Sequence, residues 1–309
     1  MSSAATVGAS FAVGSSLLNV IPLSGAPVIA ADPPARMGGS LLKLSLAGYS
    51  FSRLLPRRGT PEDISAAKMT LEDFIRFCAE QRLGAVELTG YYFPKVITTE
   101  YLVSIRSLTH KLGLTISGTA IGNDFCLPEG DDRQKQLDEC RAWIDYAAVL
   151  GAPVIRIFAG QVPAGDTEEA AVIRCAAGIN ECLDYAEKKG VYLALENHGG
   201  ITATPGQMLK IIALVRNSPF FGVNFDSGNF QTDDPYRDLE LIAPYSVNAQ
   251  IKVSVSVNGV KQAADLERII RILRDAKYRG FVALEYEEDR DPFEAIPEIL
   301  RDIRRLTDG

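Results

Sequence analysis

Carboxylates stand at the ends of three apolar runs in this sequence, each with polar companions. Leu193-Ala194-Leu195 leads into Glu196-Asn197-His198, Val223-Asn224-Phe225 into Asp226-Ser227-Gly228-Asn229, and Val282-Ala283-Leu284 into Glu285-Tyr286-Glu287. A fourth run, Ala249-Gln250-Ile251-Lys252, carries an amide and an amine instead. Polar groups buried without partners are costly, so these ends must meet something. Three carboxylates aimed at one point would repel and raise one another's pKa, and a divalent cation removes that conflict. Carboxylate and amide oxygens suit hard ions such as Mg²⁺ or Mn²⁺. Taken singly, each carboxylate is explained as well by a salt bridge to a helix lysine or arginine. Their convergence is what points to a metal.

Convergence requires a fold that brings strand ends together. Short apolar runs predict strands at 41–49, 85–88, 115–121, 153–159, 191–196, 221–226, 249–255 and 281–286. Helical spacing of apolar residues predicts helices at 70–82, 98–112, 133–150, 167–189, 204–215, 235–243, 266–277 and 292–306. Gly84, Gly113, Gly151, Gly190 and Gly280 fall where a left-handed C-cap would turn a helix into the next strand. Strictly alternating strands and helices favour one (β/α)8 TIM barrel, an α/β fold, over residues 41–309. A doubly wound sheet would open on a glycine-rich phosphate loop, and Gly48-Tyr49-Ser50-Phe51 is not one. In a barrel the catalytic groups come from the C-terminal strand ends, where Tyr49, Glu87 and Arg156 join the residues above.

Composition narrows the partners. A formal charge of −7, with no basic run longer than Arg57-Arg58 or Arg304-Arg305, argues against nucleic acid. Five cysteines without a CxxC pattern give neither a disulfide framework nor a zinc-finger spacing. Cys126 lies in a predicted loop, open to reaction but with nothing beside it to lower its pKa; the other four read as small core residues. Residues 1–40 form a leader outside the barrel, and Met1 to Ala31 carries no charged side chain. Glycine, serine and proline interrupt it too often for a stable membrane span. Its small-residue exit at Val28-Ile29-Ala30-Ala31 resembles the later part of a twin-arginine export signal. On that reading the protein is periplasmic; a plain disordered leader would leave it cytoplasmic.

Leu195-Glu196-Asn197-His198, Phe225-Asp226-Ser227-Gly228-Asn229, Gln250-Ile251-Lys252 and Leu284-Glu285-Tyr286 together resemble, in order and spacing, motifs of the xylose isomerase-like TIM-barrel superfamily, the sugar phosphate isomerase/epimerase group. The resemblance implies four metal ligands on strands five to eight: Glu196, Asp226, Gln250 and Glu285. Gln250 stands where the family usually has histidine, and Asn229 where a histidine often follows the strand-six aspartate. An amide oxygen in place of imidazole favours oxygen-loving metals and weakens binding. The implied chemistry is proton transfer beside the carbonyl of a sugar or keto-sugar, through an enediolate, with Glu196 and Glu285 as base and acid. Lys252 would hold a substrate oxygen, and Asn229 and Tyr49 would line the substrate. His198 would polarise a hydroxyl or hydrogen-bond a carboxylate. Glu87 would touch the substrate or pair with Arg156, itself a second candidate for substrate contact.

The leading expectation is therefore a divalent-metal-dependent isomerase or epimerase acting on a small carbohydrate. A lyase or hydratase acting on a 3-keto glycoside after the same proton abstraction is the alternative. A degenerate sugar-binding barrel would retain the fold and lose the metal. A repair endonuclease on this barrel needs several histidines and a basic surface; the chain has two histidines and is acidic. Homo-oligomerisation is left open by the sequence.

Overall fold

Threonine and aspartate side chains set where most helices begin. Thr60, Thr70, Thr98, Thr167, Thr204, Asp234 and Asp265 each accept a hydrogen bond from the backbone N–H three residues on. Thr60 with Asp63, Thr70 with Asp73 and Thr204 with Gln207 complete reciprocal capping boxes. The computed structural model describes residues 32–307. The helices are α1 (Pro61–Ala66), α2 (Leu71–Glu80), α3 (Thr99–Lys111), α4 (Asp131–Leu150) and α5 (Glu168–Lys189). They continue as α6 (Pro205–Leu214), α7 (Pro235–Ile242), α8 (Leu266–Asp275) and α9 (Pro292–Thr307).

Strands alternate with them. The barrel wall is β1 (Leu41–Leu46), β2 (Ala85–Thr89), β3 (Thr115–Ala120), β4 (Val154–Ile157), β5 (Tyr192–Glu196), β6 (Phe221–Asp226), β7 (Ser246–Ile251) and β10 (Arg279–Leu284). Their order is β1-β10-β7-β6-β5-β4-β3-β2, every neighbouring pair parallel. Only a parallel bridge between Ala47 and Glu87 joins the two outer strands, which nearly closes a (β/α)8 barrel. Burial is continuous along β2 and β6, as expected when helices cover the outside and other strands fill the inside. Successive side chains point to opposite faces, so Leu195 and Phe225 join the buried apolar cluster while Glu196 and Asp226 face inward.

Several details depart from the sequence expectation. The predicted strand at 249–255 divides into β7, which starts earlier at Ser246, and a hairpin of β8 (Ser254–Val257) with β9 (Val260–Ala263). Asn258 and Gly259, both at positive φ, form its two-residue turn. Helix α1 was not foreseen. Gly113, Gly151 and Gly190 are left-handed as expected, but Gly84 and Gly280 are not, and Arg82 and Lys277 take the positive φ near those two helix ends. All five cysteines are free and buried, Cys126 included, and its Sγ–H donates to the Ala159 carbonyl at 3.3 Å.

The export-signal reading falls on residues 1–31, outside the described residues. Within residues 32–40, Arg36 donates to the carbonyls of Ala276, Pro244 and Ser246, tying this stretch to the barrel. Among the described residues, no helix is long and apolar enough to cross a membrane.

Candidate active site

Alternation along the strands stacks polar residues in the barrel interior. One level holds Asn224 and Asn248; two residues on, Asp226 and Gln250 face the mouth, where Glu196, Arg156 and Glu285 also lie. Register shifts between Val86 and Glu87 and between Val223 and Asn224 adjust the strands just where polar side chains turn inward. Local irregularities of this kind re-aim side chains next to active sites.

Lys252 is the hub. Although only 7% exposed, its Nζ lies 3.3 Å from Asp226 Oδ2, 3.3 Å from Glu285 Oε1 and 3.0 Å from Glu287 Oε2. It also donates to Asn229 Oδ1 at 3.0 Å, and Asn229 Nδ2 in turn donates to Glu196 Oε1 at 2.8 Å. Burial works against the ammonium charge, but Asp226, Glu285 and Glu287 outweigh it and hold its pKa well above the usual lysine value.

Arg156 serves Glu196. Its Nε approaches Glu196 Oε2 to 2.7 Å, while Nη1 donates to the Ile121 carbonyl at 2.6 Å and the guanidinium lies 3.9 Å over the Phe158 ring. The 2.7 Å contact lacks the alignment of a hydrogen bond, so the attraction is chiefly Coulombic. The anticipated Glu87–Arg156 pair does not form. Glu87 is wholly buried and binds amides instead: Asn248 Nδ2 at 2.9 Å and Gln250 Nε2 at 2.6 Å.

Too many buried carboxylates share this space to remain at ordinary pKa values. Burial pushes Glu196 up to about 7, opposed by Arg156 and reinforced by Glu285. Burial likewise lifts Asp226 and Glu285 to about 7, each opposed by Lys252. Glu87 is also raised by burial, with its two amide donors pulling the other way. Carboxyls poised near neutrality are suited to both accept and donate protons.

The remaining expected residues line the rim. Tyr49 packs edge-on against Tyr91 and at a tilt against Tyr92, with centroids 6.4 and 6.5 Å away, forming an aromatic wall. His198 is exposed at the mouth, yet its ring lies 4.2 Å from that of Phe158. Desolvation of the ring on that side, then the charges of Arg156 and Lys252, lower its pKa to about 4 and leave it neutral at pH 7. A cavity of 490 Å³ opens between the segments after β1 and β10, lined by Tyr49, Arg53, Tyr286, Glu287 and Phe293 among others. It has room for a small carbohydrate and adjoins the carboxylate cluster through Tyr49 and Glu287, while Glu196, Glu285 and Lys252 do not line it.

A divalent ion at this mouth would need several oxygens free to face it. Glu196 Oε2 and Asp226 Oδ2 are buried without hydrogen bonds, as ion ligands would be. Gln250, however, turns its NH₂ toward Glu285 Oε2 at 3.1 Å, and its oxygen is taken by Asn224 Nδ2 at 2.6 Å. Lys252 reaches two of the four expected ligands and Arg156 a third. No group of three or more His, Cys, Asp or Glu among the described residues is arranged to hold a metal. As arranged, these residues do not fit the ion.

Sequence reasoning missed Asn248, because the predicted strand began one residue later; stepping back two from Gln250 would have found it. Glu287 stood in its motif without a role, and Tyr91 was not singled out. Asn197 was passed over: its side chain accepts from Asp226 N at 3.0 Å and donates to Asp226 O at 2.9 Å, pinning β5 to β6 at the site.

The sequence profile of the xylose isomerase-like TIM barrels matches residues 75–307. The chain belongs to that family. Solved structures agree on the fold: a xylose isomerase domain protein from Planctomyces limnophilus has a TM-score of 0.65 at 17% identity, over 88% of this chain and 97% of that one. D-psicose 3-epimerase from Clostridium cellulolyticum H10 gives 0.67 at 13%, over 86% and 99%. The 3-keto-D-glucoside 4-epimerase of E. coli gives 0.63 at 14%, over 86% and 99%. No curated protein matches the sequence significantly.

Proposed function

We propose that this barrel is a sugar isomerase or epimerase that moves a proton at a carbon next to a carbonyl. The observation that carries the reading is the pair Glu196 and Glu285. Both are buried, both are pushed up to about 7, and each is held by its own cation, Arg156 or Lys252. Glu196 would take the carbon-bound proton while the electron pair moves onto the carbonyl oxygen, giving an enediolate. The Lys252 ammonium would offset the negative charge on that oxygen. Glu285, as its carboxylic acid, would return a proton to the same carbon from the other face or to its neighbour. Return to the same carbon is epimerisation; return to the neighbour, with the hydroxyl proton passing to the former carbonyl oxygen, is isomerisation. Gln250 and Lys252 would hold Glu285 from two sides, and Asn229 would orient Glu196.

Tyr49 and the acidic cavity beside it favour an unphosphorylated carbohydrate, since aromatic faces and carboxylates take C–H and hydroxyl groups and repel phosphate. The structural neighbours named as epimerases of a ketose and of a 3-keto-glucoside are in keeping with this class. The Mn²⁺ or Mg²⁺ form of the reading, on Glu196, Asp226, Gln250 and Glu285, requires Gln250 to reverse its amide and Lys252 to withdraw. A 3-keto glycoside that loses a leaving group after deprotonation would instead make the enzyme a lyase.

The test is NMR in D₂O with a panel of keto-sugars and 3-keto glycosides. Deuterium entering a single carbon, with an epimeric or isomeric product, is the expected result. Absence of exchange across the panel, with and without Mn²⁺, would overturn the proposal; exchange accompanied by an unsaturated product would move the enzyme to the lyases.

A further inference from the structure

Four residues from three strands close a ring of hydrogen bonds beneath the candidate site. Asn248 Nδ2 donates to Glu87 Oε2 at 2.9 Å and to Asn224 Oδ1 at 2.7 Å. Asn224 Nδ2 donates to Gln250 Oε1 at 2.6 Å, and Gln250 Nε2 returns to Glu87 Oε1 at 2.6 Å. The direction of this ring is not free. Turning Gln250 over would set its NH₂ against that of Asn224, so Asn224 and then Asn248 would have to turn as well. Both amides beside Glu87 would then present oxygen to it. An ionised carboxylate can donate to neither, and a protonated one to only one of them. In either state Glu87 therefore favours the observed sense, in which Gln250 shows the site an N–H and not an oxygen.

The same geometry accounts for the position of Lys252. A buried cluster of Glu196, Asp226 and Glu285 needs positive charge, and an inward amide N–H is a poor neighbour for a metal ion. A lysine ammonium meets the need with hydrogen bonds that tolerate 3.3 Å spacing to Asp226 and Glu285.

We infer that Lys252 takes the place of a divalent cation in this barrel, and that Glu87, through Asn248, Asn224 and Gln250, is the positioning residue that keeps the site set for lysine. The inference deepens the proton-transfer reading, and its catalytic half rests on that reading. Its binding half stands alone, because metal affinity is measured without substrate.

The experiment follows free Mn²⁺ by electron paramagnetic resonance during titration of three full-length proteins: wild type, Lys252→Met, and Lys252→Met combined with Glu87→Gln. Circular dichroism and urea unfolding accompany each. Wild type is expected to leave millimolar Mn²⁺ free. Removing one positive charge at contact distance should tighten binding at least ~100-fold. Gln at 87 has one donor and one acceptor, so it mismatches one amide in either sense of the ring and no longer prefers one. The double variant should therefore bind about tenfold tighter again. Micromolar binding by wild type would overturn the inference, and that measurement needs no variant to fold. A folded Lys252→Met that gains nothing would overturn it too. Equal affinities for the single and double variants would remove Glu87 from it. Deuterium exchange by wild type in excess chelator reads the catalytic half separately: retained exchange supports Lys252 as the cation, and exchange restored only by Mn²⁺ refutes it. Absence of exchange under every condition counts against the proton-transfer reading and with it the catalytic half, while the Mn²⁺ titration still decides the binding half.

Discussion

Replacing Arg156 by methionine separates the ion pair from everything else the arginine does. Arg156 and Glu196 have side chains only 5% and 3% exposed. Removing one partner of such a pair typically costs about 3–5 kcal/mol, because the other charge stays buried and uncompensated. Part of the loss does not depend on pH: the Ile121 carbonyl loses its donor, worth about 1–3 kcal/mol, along with the stacking on Phe158. The rest does. Glu196 already has its pKa raised to about 7 with the arginine present, and without it the pKa rises further. A carboxyl whose folded pKa exceeds its unfolded one destabilises the fold as pH rises through that interval, at up to about 1.4 kcal/mol per pH unit. The variant should therefore be least stable near pH 8 and recover as the pH falls toward 5, where Glu196 carries a proton. Urea unfolding at both pH values, on wild type, Arg156→Met, Glu196→Gln and the double variant, measures this directly. The expected coupling is about 2–4 kcal/mol at pH 8 and under ~1 kcal/mol at pH 5. Additive effects at pH 8, or a loss that does not change with pH, would refute the assignment of Arg156 as the partner of Glu196.

Glu196→Gln and Glu285→Gln should each abolish deuterium exchange while keeping the circular dichroism of the folded barrel; exchange retained in both would end the proton-transfer reading. Wild-type stability should itself fall as pH rises from about 4.5 to 7, since Glu196, Asp226 and Glu285 bind protons more tightly in the fold than in the unfolded chain; a flat profile over that window would contradict it. Gln250→His replaces the inward N–H with a metal-seeking nitrogen, and Mn²⁺ affinity should rise at least about tenfold; no change by titration would mean that residue 250 does not face the cation position. Gly222→Ala should cost about 1–3 kcal/mol in urea unfolding, because a Cβ there would lie 2.5 Å from Val247 and 2.7 Å from the Tyr245 carbonyl.

The wall of the barrel was legible because burial on both faces leaves long apolar runs and capping leaves threonine and aspartate at fixed places. Short polar strands were not. The β8–β9 hairpin alternates Ser, Val, Lys and Gln, so only Asn258-Gly259 announced it, and the preceding strand was read straight through into it. Candidate side chains were visible one by one, since a carboxylate ending an apolar run needs a partner. Which partner it finds depends on three or four strands meeting. In the sequence Arg156 was matched with Glu87, whereas the registers of β4 and β5 bring it beside Glu196. The facing of the Gln250 amide is further out of reach, because it follows from Glu87, some 160 residues away along the chain.

The seam between β1 and β2 is the thinnest joint in the wall. Every other junction in the wall is a ladder of paired residues, whereas this one has a lone bridge from Ala47 to Glu87. The residue that fixes the sense of the amide ring thus sits on the stave least bound to its neighbour. Its side chain reaches across the interior to Asn248 and Gln250 of β7, so the amide ring is also a tie that holds this stave in the wall. Amide hydrogen exchange along residues 85–89, compared between wild type and Glu87→Gln, would read how much of the seam that tie holds shut.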